Sequence, residues 1–300
     1  MTHRARMTVA AALDHATKEL RSAGVPTARI DAQVLFQHAT GRTREDNLRG
    51  FDKPLEPGHF EKFTALIGRR ARREPVSQII GEREFWSLPF QVTADTLTPR
   101  PDSETVIEAV LAELDVSRFP RQTPFNILDL GTGTGCLLLS LLHELGDATG
   151  MGVDADAGAL AVARQNARSL ELAGRASFVN ADWNESDDKG MAGVFEAAPF
   201  DIVISNPPYI RDGEIDKLDP EVACFEPRLA LAGGADGLDA YRAIGALLPG
   251  LVRGGGMVAF EVGAGQAADV ECILQATGAN KLRRWSDLAG FDRCITAKNR

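Results

Sequence analysis

Phe125-Asn126-Ile127-Leu128-Asp129-Leu130 runs into Gly131-Thr132-Gly133-Thr134-Gly135 and then into Cys136-Leu137-Leu138-Leu139-Ser140-Leu141-Leu142. A short apolar run, a glycine cluster and a second apolar run predict a buried strand, a tight turn and a helix. A nucleotide-type loop requires that order, because glycine accepts positive φ and lets the backbone come close to a ligand. The glycine spacing differs from the Gly-x-x-x-x-Gly-Lys-Ser/Thr phosphate cradle, and no such lysine follows, so triphosphate hydrolysis is disfavoured. A NAD-type dehydrogenase stays compatible with the loop taken alone.

Three more strand candidates follow. Met151-Gly152-Val153-Asp154 ends in a carboxylate roughly 20 residues past the loop, where ribose hydroxyls would be held. Ala176 to Asn180 leads to Asp182-Trp183, whose indole can cover an adenine face or serve as a half-buried packing residue. Asp201 to Ile204 closes the set and stops at Ser205-Asn206-Pro207-Pro208-Tyr209. Proline lacks an N–H and fixes φ, so Pro207 and Pro208 end the ladder and stiffen the loop.

That loop presents an amide, free carbonyls and an aromatic ring at a strand's carboxyl end. The set suits alkylation of a planar NH2, whose lone pair is delocalised. Acceptors that take both N–H groups bias the nitrogen towards attack as charge develops. The Asn206 side-chain oxygen and the Pro207 carbonyl are such acceptors, and the Tyr209 ring can pack on the flat group. A plain rigid turn after a strand is the competing reading. The dehydrogenase reading has no use for this loop.

The chain has 300 residues, enough for a catalytic domain and a small companion. A net charge of −9 argues against affinity that comes from wrapping phosphates. Cys136, Cys224, Cys272 and Cys294 are scattered, with no Cys-x-x-Cys, which points to a reducing compartment and no structural zinc. Met1 to Ala12 lacks a signal-peptide core and no stretch is long enough to span a bilayer, so a cytoplasmic protein is expected. His3, His15, His38, His59 and His143 all lie away from the proposed site, and none is needed as a base.

Towards the amino end, Val9, Leu13, Ala16 and Leu20 share a helical face that ends near Gly24-Val25-Pro26. Ile30, Val34 and Leu35 begin a second helix, with Thr27 as N-cap and Gly41 as stop. Phe60, Phe63 and Ile67 mark a third. Arg69-Arg70-Ala71-Arg72-Arg73 reads as a solvated helix face, or as a contact to an acidic or ribosome-linked partner. Leu88, Phe90 and Val92 alternate as a hairpin would, Thr105 to Leu114 is helical, and Ser117 to Pro124 is a polar linker. Beyond the proline loop, Arg211 to Arg228 predicts an ordered flap near the substrate. Leu238, Tyr241, Ile244 and Leu248 form an amphipathic helix; Gly254 to Gly256 lead into a fifth strand, Met257 to Val262. Leu282 to Trp285 and Arg293 to Ala297 supply a final antiparallel pair. Glu261 can assist the site electrostatically and Arg100 can order its entrance, each against a purely structural ion pair.

Leu128 to Gly135 followed by Asn206-Pro207-Pro208-Tyr209 resembles class I S-adenosylmethionine-dependent methyltransferases acting on planar nitrogen. The whole chain resembles the HemK/PrmC family, which methylates a glutamine side-chain nitrogen in peptide chain release factors. Glu74-Pro75-Val76 with Gly81 to Trp86, Thr98-Pro99-Arg100-Pro101-Asp102-Ser103-Glu104, and Phe225-Glu226-Pro227-Arg228 through Gly233-Gly234 and Asp236-Gly237 carry it further. The resemblance implies an α/β, Rossmann-like fold with a seven-stranded, mostly parallel sheet. It implies a helical partner-binding domain over 1–82, a linking β-hairpin over 83–98 and a catalytic domain over 99–300. Gly131, Thr132, Gly133, Thr134 and Gly135 would line the methionine and ribose of S-adenosylmethionine, Asp154 would hold the ribose hydroxyls, and Trp183 would lie along the adenine. Asn206 would touch cofactor and substrate, while Pro207, Pro208 and Tyr209 frame the amide; Asn206, Pro207 and Tyr209 would be catalytic.

The implied substrate is the glutamine of the Gly-Gly-Gln motif in release factors, which places the protein in translation termination. The Pro-Arg-Pro-Asp-Ser-Glu segment favours that branch over ribosomal-protein glutamine methylation. Peptide chain release factors are the implied partners, with no membrane and no sequence-specific nucleic acid. A nucleobase-amine methyltransferase remains an alternative because nucleobase amines share the planarity and the two donors, and a non-enzymatic cofactor-binding or translation-interaction module is a third reading.

Overall fold

The computed structural model describes residues 7–43, 45–46, 51–114, 123–185 and 188–300. His3, the start of Met1 to Ala12 and most of the expected linker Ser117 to Pro124 lie outside them. The chain divides into two compact units, residues 1–81 with 219–225, and residues 82–218 with 226–300.

The first unit is helical. Helix α1 (Val9–Ser22) is capped by the Thr8 hydroxyl, which accepts the Ala11 N–H at 3.2 Å. Val9, Ala12, Ala16 and Leu20 form its buried face, with Leu13 at the margin. Helix α2 (Ala28–Thr40) stops at Gly41, which adopts φ 69°. Thr27 stands at the cap position without a side-chain bond, and Ile30 is exposed. Ala28, Asp31, Ala32, Leu35 and Phe36 make the buried face instead, so the stripe is rotated from the one Ile30 and Val34 imply. Helices α3 (Pro57–Ala71) and α4 (Val76–Ile80) complete the bundle, with Phe36 and Phe63 edge to face at 5.1 Å.

The arginine run corrects the expectation of a solvated face. Arg70 is buried and donates through Nε to Asp31 and through Nη2 to Glu221, each at 2.7 Å. Arg73 grips both oxygens of Glu221, and Arg69 pairs with Glu74. The acids that answer this run are the chain's own.

In the second unit a hairpin, β1 (Glu82–Phe85) and β2 (Leu88–Gln91), precedes helix α5 (Glu104–Glu113). Then come β3 (Asn126–Leu130), α6 (Cys136–Glu144), β4 (Thr149–Asp154), α7 (Ala157–Ser169), β5 (Ala176–Asn180), α8 (Asp188–Ala197) and β6 (Phe200–Ser205). After the short helix α9 (Asp212–Ile215) the chain enters the first unit for α10 (Pro220–Ala223), and the second unit resumes with α11 (Asp239–Leu251), β7 (Val252–Glu261), α12 (Ala267–Ala276), β8 (Asn280–Ser286) and β9 (Asp292–Lys298). The seven-stranded sheet has the order β5-β4-β3-β6-β7-β9-β8, parallel from β5 to β7, with β9 antiparallel to both its neighbours.

Strand side chains alternate between faces, so continuous apolar runs feed two cores. Ile127, Ile202, Ile204, Met257 and Ala259 pack with α5 and α6 on one side. Leu128, Val203, Val258 and Phe260 pack with α11 and α12 on the other. Strand β7 starts five residues before the expected Met257, and Gly254 to Gly256 lie inside it at a break in register with β6, where Val252 pairs with Phe200, Met257 with Ile202, and Gly255 takes φ 73°. Gly255 N–H donates to Asn299 and Asn299 N–H to Gly256, which ties the glycines to the chain end. The order reverses between β3 and β6, so the carboxyl ends of those strands open a crevice, the place where such sheets bind ligands.

Candidate active site

Chain geometry at the end of β3 is set by β4. The N–H groups of Gly131 and Thr132 both donate to the Val153 carbonyl at 2.9 Å. Gly131, Gly133 and Gly135 take φ of 75°, 54° and 81°, a left-handed path that other residues resist. A Cβ on Gly131 would stand 3.2 Å from the Trp183 indole, so ring and loop meet because that atom is missing. Asp154 Oδ2 accepts the Gly133 N–H at 2.8 Å, and Oδ1 accepts that of Asp156 at 2.9 Å. Burial holds its pKa above the usual carboxylate range. Beneath the loop, Thr132 donates to buried Asp129 at 2.7 Å, and burial pushes that carboxyl up to about 7.

The loop after β6 is braced from several directions. Ser205 Oγ donates to the Leu130 carbonyl at 2.6 Å, locking the two strand ends together. Asn206 Nδ2 donates to Ser103 Oγ at 3.3 Å, and the Tyr209 hydroxyl donates to Glu261 Oε1 at the same distance. The Tyr209 carbonyl accepts from Gln266 Nε2 at 3.0 Å. Gly233 lets its backbone pass: a Cβ there would lie 2.8 Å from the Tyr209 Cα and 2.9 Å from the Pro208 carbonyl.

These strand ends wall a cavity of about 410 Å³. Gly131, Thr132, Gly133, Thr134, Asp154, Trp183, Asn206 and Pro208 line it. Gly135 lies behind the wall as the cap of α6, where a Cβ would meet Leu139 at 3.1 Å. Pro207 is buried, and Tyr209 is half-buried with its hydroxyl turned to Glu261 rather than into the cavity. Of the expected flap, Asp212 and Pro227 reach the wall, while 219–225 belong to the helical unit. Arg100 also lines the cavity, held at 2.6 Å by Glu226, whose side chain is buried and whose pKa burial raises.

Sequence reading passed over Asn166. It sits fully buried on the apolar face of α7, where its Nδ2 donates to the Thr134 carbonyl at 2.9 Å and to Gln91 at 3.1 Å. Its Oδ1 accepts the Gln91 N–H at 2.8 Å, so one amide ties the hairpin to the glycine loop. The signal was an amide on a stripe otherwise made of Ala159, Leu160, Val162, Ala163 and Ala167. Leu229 and Ala230, which line the cavity, carried no comparable signal.

Residues 123–230 match the family described as a methyltransferase domain. A solved structure, the hMettl16 catalytic domain in complex with MAT2A 3′UTR hairpin 6, shares the fold at TM-score 0.53 and 15% identity, covering 77% of this chain and 81% of that one. The second unit is thus that of a class I methyltransferase, whose methyl donor is S-adenosylmethionine. Residues 11–81 match the PrmC N-terminal domain. Release factor glutamine methyltransferases of Rhodospirillum rubrum and Caulobacter vibrioides are 44% and 40% identical, each over 96% of this chain and over 84% and 96% of their own lengths. The chain belongs to the release factor glutamine methyltransferase family.

The residues present fit that donor. The cavity size lies within the range for small-ligand sites. Its wall joins a carboxylate, Asp154, an indole, Trp183, and a backbone bare of Cβ atoms at Gly131 and Gly133. Among the described residues, no helix is long and apolar enough to cross a membrane.

Proposed function

We propose that this chain methylates the side-chain nitrogen of a glutamine in the Gly-Gly-Gln motif of a peptide chain release factor, in the cytoplasm. The observation that carries the reading is Asn206 on the wall of the cavity with its amide nitrogen bonded to Ser103. That bond leaves Oδ1 as the half of the amide able to accept a substrate N–H. When bound, S-adenosylmethionine supplies an electrophilic methyl group on a sulfonium. Asp154 holds ribose hydroxyls, Trp183 covers the adenine, and the Gly131 to Gly135 loop gives the backbone room around the rest.

Asn206 Oδ1 and the Pro207 carbonyl take the two amide hydrogens, while Pro208 and Tyr209 hold the flat group in place. Fixing an amide this way localises density on nitrogen as the bond forms and removes the orientational cost of the encounter. The product nitrogen loses its proton to water, so the site needs no base. The helical unit, matched to the PrmC N-terminal domain, docks the protein substrate.

Incubation with labelled S-adenosylmethionine and a release factor is expected to place one methyl group on that glutamine, mapped by mass spectrometry. Labelling that survives a Gln→Ala change in the target overturns the reading. Methylation of a nucleic acid under the same conditions would favour a nucleobase amine instead. Trp183→Ala is expected to raise the cofactor KM on the order of ten-fold, the worth of one stacked base, with kcat nearly unchanged. Steady-state kinetics with the cofactor as varied substrate checks this.

A further inference from the structure

Gln266 caps helix α12 and lies outside the cavity wall, yet its half-buried side chain reaches the far end of the proline loop. Nε2 donates to the Tyr209 carbonyl at 3.0 Å and to the Gly237 carbonyl at 3.2 Å, while Oε1 accepts the Gly263 N–H at 3.1 Å. Both amide hydrogens are thereby used. Only one orientation satisfies these partners: turned over, the amide would set its oxygen against two carbonyls and its nitrogen against an N–H. Glycines make room for the clamp. A Cβ on Gly237, which takes φ 79°, would collide with the Tyr209 carbonyl oxygen and with Gln266 Nε2. One on Gly263 would collide with Gln266 Oε1 and stand 2.9 Å from the Tyr209 ring.

The loop depends on such outside holds. Pro207 and Pro208 have no N–H, so its two central residues cannot donate to any neighbour. In front, Ser205 is bonded to the Leu130 carbonyl. Behind, the Ile210 N–H donates to Leu231 at 2.9 Å, and the Ile210 carbonyl accepts from Gly233 at 2.8 Å. The Tyr209 carbonyl lies between these anchors, and Gln266 is what holds it.

We propose that Gln266 is a positioning residue for methyl transfer: by holding the Tyr209 carbonyl it sets the backbone that aims the Pro207 carbonyl and the Tyr209 ring at the target amide. This rests on the reading of Asn206 to Tyr209 as the grip on that amide. A carbonyl free to turn rotates the peptide plane after Tyr209 and shifts its Cα. The ring's far end stays tied through its hydroxyl to Glu261, so the ring tilts rather than follows. Both prolines have a fixed φ, which leaves the loop few torsions to absorb the shift before it reaches Pro207.

The test measures kcat and both KM values on the glutamine substrate for wild type, Gln266→Met and Gln266→Glu. Assays run below the lowest melting midpoint of the set, so every protein is folded. Gln266→Met keeps the length and loses the donors; it should lower kcat about ten- to a hundredfold, the cost of a misplaced contact, with cofactor KM unchanged. Gln266→Glu separates positioning from packing. As a carboxylate it sets acceptors against two carbonyls, and kcat should fall as far. Protonated, it has one O–H for the Tyr209 carbonyl and one oxygen for the Gly263 N–H, so kcat should recover towards wild type as pH falls. The recovery is read as the ratio to wild type at each pH. Glu261, and Asp236 and Asp239, which pair with Arg242, are common to both proteins and cancel in that ratio. An unaltered kcat in Gln266→Met, a loss confined to either KM, or a Gln266→Glu ratio that does not rise on acidification overturns this inference alone. A wild-type enzyme inactive on glutamine overturns the functional reading and this inference with it.

Discussion

Asn206→Ala is expected to lower kcat by about 10²–10³-fold, the cost of removing one preorganised contact to a developing charge. The nitrogen of a carboxamide is a poor nucleophile because its lone pair is shared with the carbonyl. Attack requires that sharing to weaken, and acceptors aimed at the N–H groups reward it only as positive charge gathers on nitrogen. The contact is therefore stronger in the transition state than in the bound substrate, and its loss falls on kcat rather than on KM. Asn206 can deliver it because two strand ends hold it in place: Ser205 is bonded to Leu130, and Ser103 fixes the amide nitrogen. Cofactor affinity by calorimetry should change much less than kcat, since Gly131, Asp154 and Trp183 remain on the cavity wall. Asn206→Asp keeps an acceptor but loses the donor to Ser103, so it should fall between alanine and wild type. If alanine retains turnover within ten-fold of wild type, the rate does not come from this grip.

The parts of this picture that are written locally were legible in the chain. Strand, glycine turn and helix at Phe125 to Leu142 needed only the period of the apolar residues and the conformational freedom of glycine. The β-branched run stopped by Pro207 and Pro208 is equally local, and Asp154 at the next strand end follows from spacing. What escaped depends on partners far away in sequence. Asn166 looks like an ordinary helix residue until the backbone of Gln91, 75 residues earlier, comes to its amide. Ser103 acquires its meaning from Asn206, 103 residues on. Ile30 was drawn into the buried stripe because its hydrophobicity is visible and the rotation of α2 is not; Asp31 took that place through a distant arginine. Gly254 to Gly256 carry the composition of a turn and lie inside β7 at a break in its register with β6, tied there by Asn299.

The same long-range logic governs the arginine run and gives the largest stability effect. Arg70→Ala is expected to cost the helical unit about 3–5 kcal/mol, the usual loss when one member of a buried pair is removed. The Arg70 side chain is 5% exposed and spans three acceptors: Asp31, Glu221 and the Glu74 carbonyl at 3.3 Å. Without it, Asp31 is left buried and loses that partner. Glu221 fares better, because Arg73 still holds it. Burial raises the Glu221 pKa, yet Arg73 and Arg70 together bring it below the usual value. Arg73→Ala should accordingly cost only about 1 kcal/mol, since Arg70 remains to pair with the same carboxylate.

The cost in Arg70→Ala is one of stranded charge more than of lost attraction, and the two are separable. Arg70→Met combined with Asp31→Leu removes both ions and fills the space with apolar groups, so it should recover most of the loss. Amide hydrogen exchange across α1, α2 and α3 reads this unit apart from the sheet, as global unfolding would not. Protection that falls by less than about 1 kcal/mol in Arg70→Ala would mean that water reaches Asp31 and the pair behaves as an exposed one. A double variant no better than the single would mean that the bonds themselves, and not the burial of an unanswered carboxylate, hold residues 219–225 in the helical unit.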